Sequence, residues 1–539
     1  MAIRRTPKSA RAPVNVCGSS LFGRYHKISS EKTFNMFLSD GWLVNFCGWR
    51  RVYELLPSGV GRGIFRSIRG GFLLVVVNSS VYRLDANLSP TFIGTLNSAS
   101  GEVFIDENLA NQICLVDGVN AYIYNHSLAP NLTVQALSGD LIPNYVTYHN
   151  SFFLIGNGNR TSAGAFWYAY ASDSATTIKQ QDELSLQTKP DYAIAIKRIP
   201  GQGNNVLVFG TAVCEIHTQV QGLETYVRNP TINIDYGCLS VNTIAASDQY
   251  IAWLAINESN APAIMVYTGQ GIQEISTDGI NYVLEQLVHP ENCTAMFYRQ
   301  DGHLFYQLTF FAPEDNLTLI YDFNTQKFFN LSDGKLNYHP AVDIVHFNQK
   351  SYFISHNNAS LYELSTNYTT YDENLPGTES DPDLIEEIQR IRICKSIRQD
   401  DSSRFIANSL VVTIEQGYDP AFTGLSYTNN DYLITDITLE PIVDENGEQI
   451  VSESYDPTLP KNQSTDYASV VYRPRVDLSL SYDGGVTFGN TVARELNAIG
   501  NRKNMLMWEK MGAANDLTLK FRFWGMTRFV VQDGFVDIC

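Results

Sequence analysis

Adjacent carboxylates such as Asp400 and Asp401 are the first residues to weigh as chemistry, because glycoside hydrolysis needs two acids about 5–9.5 Å apart across the scissile bond. With 56 Asp and Glu in 539 residues, such pairs arise by chance, and the sequence places none of them in a cleft. Nine histidines are scattered without the i, i+3 or i, i+4 spacing that sets two ligands on one helix face. His26, His149 and His303 each stand beside aromatic or apolar residues, which reads as packing. Cys17, Cys47, Cys114, Cys214, Cys238, Cys293, Cys394 and Cys539 include no CxxC pair, so the reading is of reduced, mostly buried thiols with no metal and no cofactor. The phosphate-cradling GxxxxGKS/T, a GxGxxG after a first strand, the zinc-protease HExxH and the nucleophile-elbow GxSxG are all absent.

One motif is specific. Ser481-Tyr482-Asp483-Gly484-Gly485-Val486-Thr487-Phe488 fits the pattern S-x-D-x-G-x-T-W/F. A carboxylate at the third position can accept turn N–H groups, glycine takes a positive φ, and the closing aromatic pins the turn to its sheet. The pattern resembles the Asp-box of sialidase propellers, a folding device that lies away from the catalytic pocket. It occurs once, and no arginine cluster or Tyr/Glu pair accompanies it. Ser481, Asp483, Gly485, Thr487 and Phe488 are therefore expected to build a structural hairpin, and catalytic residues are expected to be none.

The surrounding elements explain more than the motif does. Aromatics make up 12% of the chain, with 30 Tyr and 28 Phe, a mix that suits pleated, half-buried surfaces. Seven pairs of short β runs recur, each joined by a turn rich in Asn, Gly, Ser or Asp. They begin at Leu73 (LLVVVNSSVYRL), Gln112, Ser151, Asn205, Tyr250, His303 and Lys350 (KSYFISHNNASLYEL). Hairpins every 40–50 residues predict a β-propeller of about six or seven blades, one four-stranded blade per period. Two β-sandwiches would explain the alternation but not the sustained spacing.

The repeat stops after Leu364. Tyr371 to Glu387 holds seven acidic residues, no basic one and two prolines, and reads as a linker ending in one short helix. From Ile391 onward β patterning resumes without the propeller interval, which suggests a C-terminal β-sandwich-like domain. Asp436 to Asp466 has eight acidic residues, Lys461 as its only base and three prolines, and reads as a long exposed loop. Ala498 to Met511 shows no helical period. The expected partition is a basic N-terminal segment leading into the propeller at 1–60, propeller at 61–370, acidic linker at 371–390, and the C-terminal β domain at 391–539 with its acidic loop at 436–466.

Charge is uneven. The net value is −18, yet residues 1–83 carry thirteen Lys/Arg against three acidic residues, leaving −28 on the rest. A strongly acidic body does not grip DNA through its phosphates, which takes clustered Lys and Arg; the basic N-terminal portion suits an acidic neighbour. No apolar run reaches the ~20 residues of a membrane helix, and MAIRRTPKSARAPV lacks the apolar core of a secretory signal. Synthesis in a cytoplasm is expected, and the twelve N-x-S/T triplets read as Asn-rich loops.

Taken in order, these segments resemble the packaged-DNA stabilisation proteins (tail hub, or head-closure, proteins) of short-tailed phages. The likeness starts at TFNMFLSDGWLVNFCGWRRV (Thr33 to Val52) and runs through GVGRGIFRS, the Leu73 hairpin, Asn205 to Gln219, and RNPTINIDYGCLS (Arg228 to Ser240). It is most specific at LSLSYDGGVTFGN and MLMWEKMGAANDLTLKFRFWG, where Trp508, Lys510, Gly512, Lys520 and Arg522 fall on the family pattern. The segment 436–466 has no counterpart. The resemblance implies a non-enzymatic virion tail protein forming a homo-oligomeric ring, a hexamer, below the portal adaptor. It would retain packaged DNA, continue the ejection channel without sequence-specific DNA contacts, carry spikes or fibres, and be sealed by a needle or plug. The alternatives are a carbohydrate-binding or carbohydrate-active propeller, motivated by the Asp483 motif, and a peptide-binding scaffold.

Overall fold

A computed structural model describes residues 10–23, 31–128, 131–222, 224–378, 381–399, 402–416, 474–496, 503–525 and 527–538. The acidic segment 436–466 and the pair Asp400 and Asp401 lie outside these residues, as does His26. The chain forms two compact units, one of residues 18–39 and 46–389, the other of residues 1–17, 40–45 and 390–539.

The larger unit is a β-propeller. Its first blade runs from inner to outer edge as Gly61–Ser67, Phe72–Val77, Ser80–Leu84 and Pro90–Thr95, all antiparallel neighbours. Further blades follow over 104–134, 143–185, 195–234, 237–274 and 293–330, and the last begins with Ala341–Phe347. Six blades are sheets of their own, and the four-stranded run at 293–330 completes the ring. Every hairpin expected from the sequence is the middle pair of strands of one blade.

Burial explains why those middle strands are so legible. Phe72, Leu74 and Val76 pack against Ile113, Leu115 and Tyr122 of the second blade. Leu73, Val75 and Val77, pointing to the other face, pack against Ile354 and Leu361 of the last. Comparable clusters join each blade to the next around the circle. A strand buried on both faces reads as a continuous apolar run, because neither face meets water. All six residues of Phe72–Val77 are buried.

The circle is closed by a strand from far upstream. Gly48–Glu54 pairs antiparallel with Ser360–Ser365 and serves as the outer neighbour of the last blade. Thr370–Asp372 then runs parallel to Gly48–Glu54 and pairs antiparallel with Ile385–Glu387. The stretch 371–390, a linker by its composition, thus continues the last blade's sheet, and its helical part is one 3-10 turn at Pro382–Leu384. Its carboxylates have local cations to meet: Asp372 lies 3.8 Å from Arg50 and Glu386 lies 2.9 Å from Lys335. The segment 1–60 likewise supplies a blade strand and, through Ala10–Val14 and Trp42–Asn45, two strands of the smaller unit.

That unit is built of two sheets. One joins Ala10–Val14, Gly534–Ile538, Phe405–Gln416 and Lys503–Ala514. The other joins Arg390–Ile393, Thr518–Trp524, Arg475–Ser481 and Thr491–Glu495. Ala498 to Met511, which shows no helical period, includes most of Lys503–Ala514, a twelve-residue strand. Arg390 and Arg392 are fully buried here, and carbonyls take the place of water: Arg390 donates to Gly525 O (2.9 Å), and Arg392 to Val16 O (2.9 Å) and Asn15 O (3.2 Å).

Candidate functional site

The inner strands of the blades enclose an axial cavity of about 250 Å3 lined by Arg62, Glu102, Tyr145, Lys197, Thr294 and Asp343, among others. Each polar group comes from a different blade or blade connection, so no local motif could announce the site. Arg62 is committed to its surroundings. It donates to the carbonyls of Asn78 (2.8 Å), Ser98 (2.9 Å), Ser100 (2.7 Å) and Gly101 (2.5 Å), pinning the link between the first two blades. Lys197 Nζ donates to the Tyr145 hydroxyl at 2.9 Å.

The two acids are the chemically suggestive members. Burial holds the Glu102 carboxyl well above the usual carboxylate range. Burial also pushes Asp343 up to about 7, against the lowering effect of the Ile344 N–H, which donates to it at 2.8 Å. Raised carboxyls in a cavity are a common mark of catalysis. This cavity, however, is smaller than the roughly 300–1,000 Å3 that small-ligand sites occupy.

The residues singled out in the sequence gather on the smaller unit, where Arg475–Ser481 pairs with Thr518–Trp524. Asp483 accepts from Val486 N and Thr487 N (both 3.0 Å), from the Thr487 hydroxyl (2.6 Å) and from the Ser481 hydroxyl (2.6 Å). The Ser481 hydroxyl is the largest of the influences that hold the Asp483 carboxyl below the ordinary range, followed by Thr487. Gly485 (φ +90°) faces Thr518, where a Cβ would sit 3.4 Å from a methyl. Phe488 lies 5.4 Å from Lys520 Nζ. The Tyr482 hydroxyl donates to Met511 O, and a Cβ on Gly512 (φ +91°) would come within 3.2 Å of that hydroxyl. Asp483 is thus spent on its own turn, and the turn is clasped to the bulge where Lys510 takes a positive φ.

Trp508 stands apart from that cluster. It is buried against Phe521 at 6.0 Å, and its Nε1 donates to Val492 O at 2.9 Å, which makes it a core residue. Sequence reasoning missed Arg475 and Trp524. The Arg522 guanidinium lies 3.7 Å from the Trp524 ring centroid and Arg475 lies 5.4 Å from it, while Trp524 Nε1 donates to Asp477 at 2.6 Å. Lys520 and Arg522 alternate on one strand and so share this face; burial, then the neighbouring Arg522 charge, lowers the Lys520 ammonium. His149 bonds the Tyr226 hydroxyl (2.8 Å) and Gly203 O (3.0 Å), and His303 bonds Asp322 (2.9 Å) and the Ser39 hydroxyl (3.1 Å). Both are hydrogen-bonded packing residues.

The larger unit is thus a propeller with a narrow axial cavity, and the smaller unit a β-sandwich whose motif residues serve their own turns. Residues 30–369 match the family model described as bacteriophage P22 Gp10, beta-propeller, and residues 465–538 match that described as bacteriophage P22 Gp10, beta-sandwich. The chain belongs to the bacteriophage P22 Gp10 family, tail hub and DNA-stabilisation proteins of short-tailed phages, and is a phage tail structural protein of the virion. No curated protein matches the chain. Among solved structures, virginiamycin B lyase from Staphylococcus aureus is 12% identical with a TM-score of 0.40, the match covering 59% of this chain and 99% of that one. The N-terminal domain of Nup159 is 11% identical with a TM-score of 0.37, covering 65% of this chain and 99% of that one.

Proposed function

We propose that this chain builds a closed ring below the portal adaptor of a short-tailed phage, keeps packaged DNA in the head, continues the channel for ejection and carries spikes or fibres on its flank. It does so without catalysis. The observation that carries this reading is the axial cavity. At about 250 Å3 it does not admit a duplex whose major groove alone is about 12 Å wide. DNA therefore passes between copies, and each propeller acts as a solid wedge whose flanks make the cyclic contacts. An acidic wall of such a channel repels phosphate within a screening length of about 8 Å, so the duplex slides without being gripped. Needle or plug and spikes would engage the exposed edges.

The test is a mass measurement of purified protein alone and with adaptor-capped portal complexes. The ring reading expects a discrete oligomer, a hexamer, on the adaptor; a protein that stays monomeric at all concentrations and ignores the adaptor would refute it. The carbohydrate reading has the Asp483 turn and the raised acids in its favour, and it expects a signal on a glycan array that is lost in Glu102→Gln.

A further inference from the structure

Between Arg228 and Arg299 the chain has no Lys or Arg and carries seven acidic residues. Three of them are neutralised: Asp235 and Glu258 clasp Lys189 at 3.1 and 2.8 Å, and Asp248 pairs with Arg299 at 3.0 Å. The other four, Glu274, Asp278, Glu285 and Glu291, are exposed on or next to helix α1 (Asp278–Glu285), which lies in the connection between the fifth and sixth blades, and Glu291 lies 3.3 Å from His289 Nδ1. The Thr277 hydroxyl caps α1 by accepting from Ile280 N (3.4 Å), and Ile280 and Leu284 anchor it to blades five and six.

Beside the last turn of α1 an open cavity of about 230 Å3 is floored by Leu239, Leu254, Pro262, Leu284 and Leu287, with Glu285 at its edge. The wall is held firmly: Asp315 accepts from Val288 N (2.8 Å) and His289 N (2.9 Å), fixing the turn that leads through Pro290 to Glu291. Val288, on that turn, is 60% exposed. An apolar hollow with an acidic rim suits a segment in which an aliphatic side chain is followed directly by cations.

The chain holds one segment of that composition ahead of its first described strand. Residues 1–9, MAIRRTPKS, put Ile3 beside Arg4 and Arg5, with Lys8 beyond, and lead into the strand Ala10–Val14. Ile3 stands seven residues before Ala10 and so reaches at most about 25 Å from that strand.

We propose that residues 1–9 of one copy dock on a neighbouring copy, Ile3 in the cavity beside α1 and Arg4 and Arg5 against Glu285 and Glu291. This rests on the ring reading above. Arm and cavity are different surfaces of one chain, so each copy gives one and receives one, the head-to-tail arrangement that closes a ring.

The experiment is a charge swap in the full chain, read by sedimentation of the self-assembled species at 50 and 300 mM salt. Arg4→Glu with Arg5→Glu weakens assembly at least tenfold at low salt, Glu285→Lys with Glu291→Lys does the same, and the fourfold variant recovers to within about threefold of the wild type. No effect of either pair, or two losses without recovery, overturns the docking. So does a loss confined to the cavity pair, which would assign the cavity to a different basic partner. Should the wild type neither self-associate nor assemble on the adaptor, the ring reading fails by itself. The cavity is then probed with a labelled peptide of residues 1–11: binding that weakens with Glu285→Lys and Glu291→Lys keeps the cavity as its receptor, and no binding ends the proposal.

Discussion

Trp49 and Tyr371 stack with ring centroids 3.5 Å apart and planes 12° apart, although 322 positions separate them in the chain. Trp49 sits on the strand that closes the propeller, and Tyr371 on the strand laid parallel to it. Phe353 and His339 meet the other edges of the indole, at 5.8 and 4.9 Å. The contact therefore joins the two ends of the propeller, and the ring of blades is only as stable as this closure.

Trp49→Ala should cost about 3–5 kcal/mol, since a buried indole leaves a large void that its neighbours fill only in part. Urea unfolding followed by circular dichroism measures it. A change below about 1 kcal/mol would mean that the closing strand is dispensable.

Much of this architecture is legible in the amino-acid sequence. The middle hairpins are, because burial on both faces makes them continuous apolar runs. The inner and outer strands are not: Phe104–Glu107 is half-buried throughout, and Thr133–Val134 is two residues long. Gly48–Glu54 reads as part of a basic segment because its arginines dominate and its partner lies some 300 positions away. Lys503–Ala514 alternates over Asn504, Leu506 and Trp508, but the bulge at Lys510 and Gly512 breaks the period. The Asp483 turn can be read because its chemistry is local. The axial cavity cannot, because Glu102, Lys197 and Asp343 meet only once the blades close.

Asp483→Asn should lower the melting temperature at neutral pH. A carboxyl held below its ordinary value contributes stability above the unfolded pKa, near 4, and loses it as pH falls through the folded value. The difference between variant and wild type should be full at pH 6 and shrink below pH 4. A constant difference at all pH values would remove the charge from the explanation.

Glu215 is buried and accepts from His217 Nε2 (2.9 Å), Gln187 N (2.9 Å) and Thr188 N. Burial alone would raise its carboxyl; these bonds outweigh it and bring the value down to about 2. Glu215→Gln should destabilise by about 2 kcal/mol at pH 7, where the carboxylate's acceptor capacity is in use. The loss should fade as pH falls from 4.5 toward 2. Equal stability of the two proteins at pH 7 would contradict this.

Asp343 works in the opposite direction. Its folded value near 7 lies above the unfolded one, so the folded protein holds the proton more tightly and loses stability as pH rises from about 4 to 7. Asp343→Asn should stabilise the propeller at pH 8, on the order of 2 kcal/mol, and change nothing at pH 3. Equilibrium denaturation at the two pH values decides, and destabilisation at pH 8 would mean that the Ile344 N–H and the Lys197 charge outweigh burial there.

The most direct test of the central claim is DNA retention in heads assembled in an infection that lacks this protein. Heads should fill to full genome length and then release their DNA on purification, with retention restored by adding the purified chain. Heads that stay full without it would contradict a role in holding the genome.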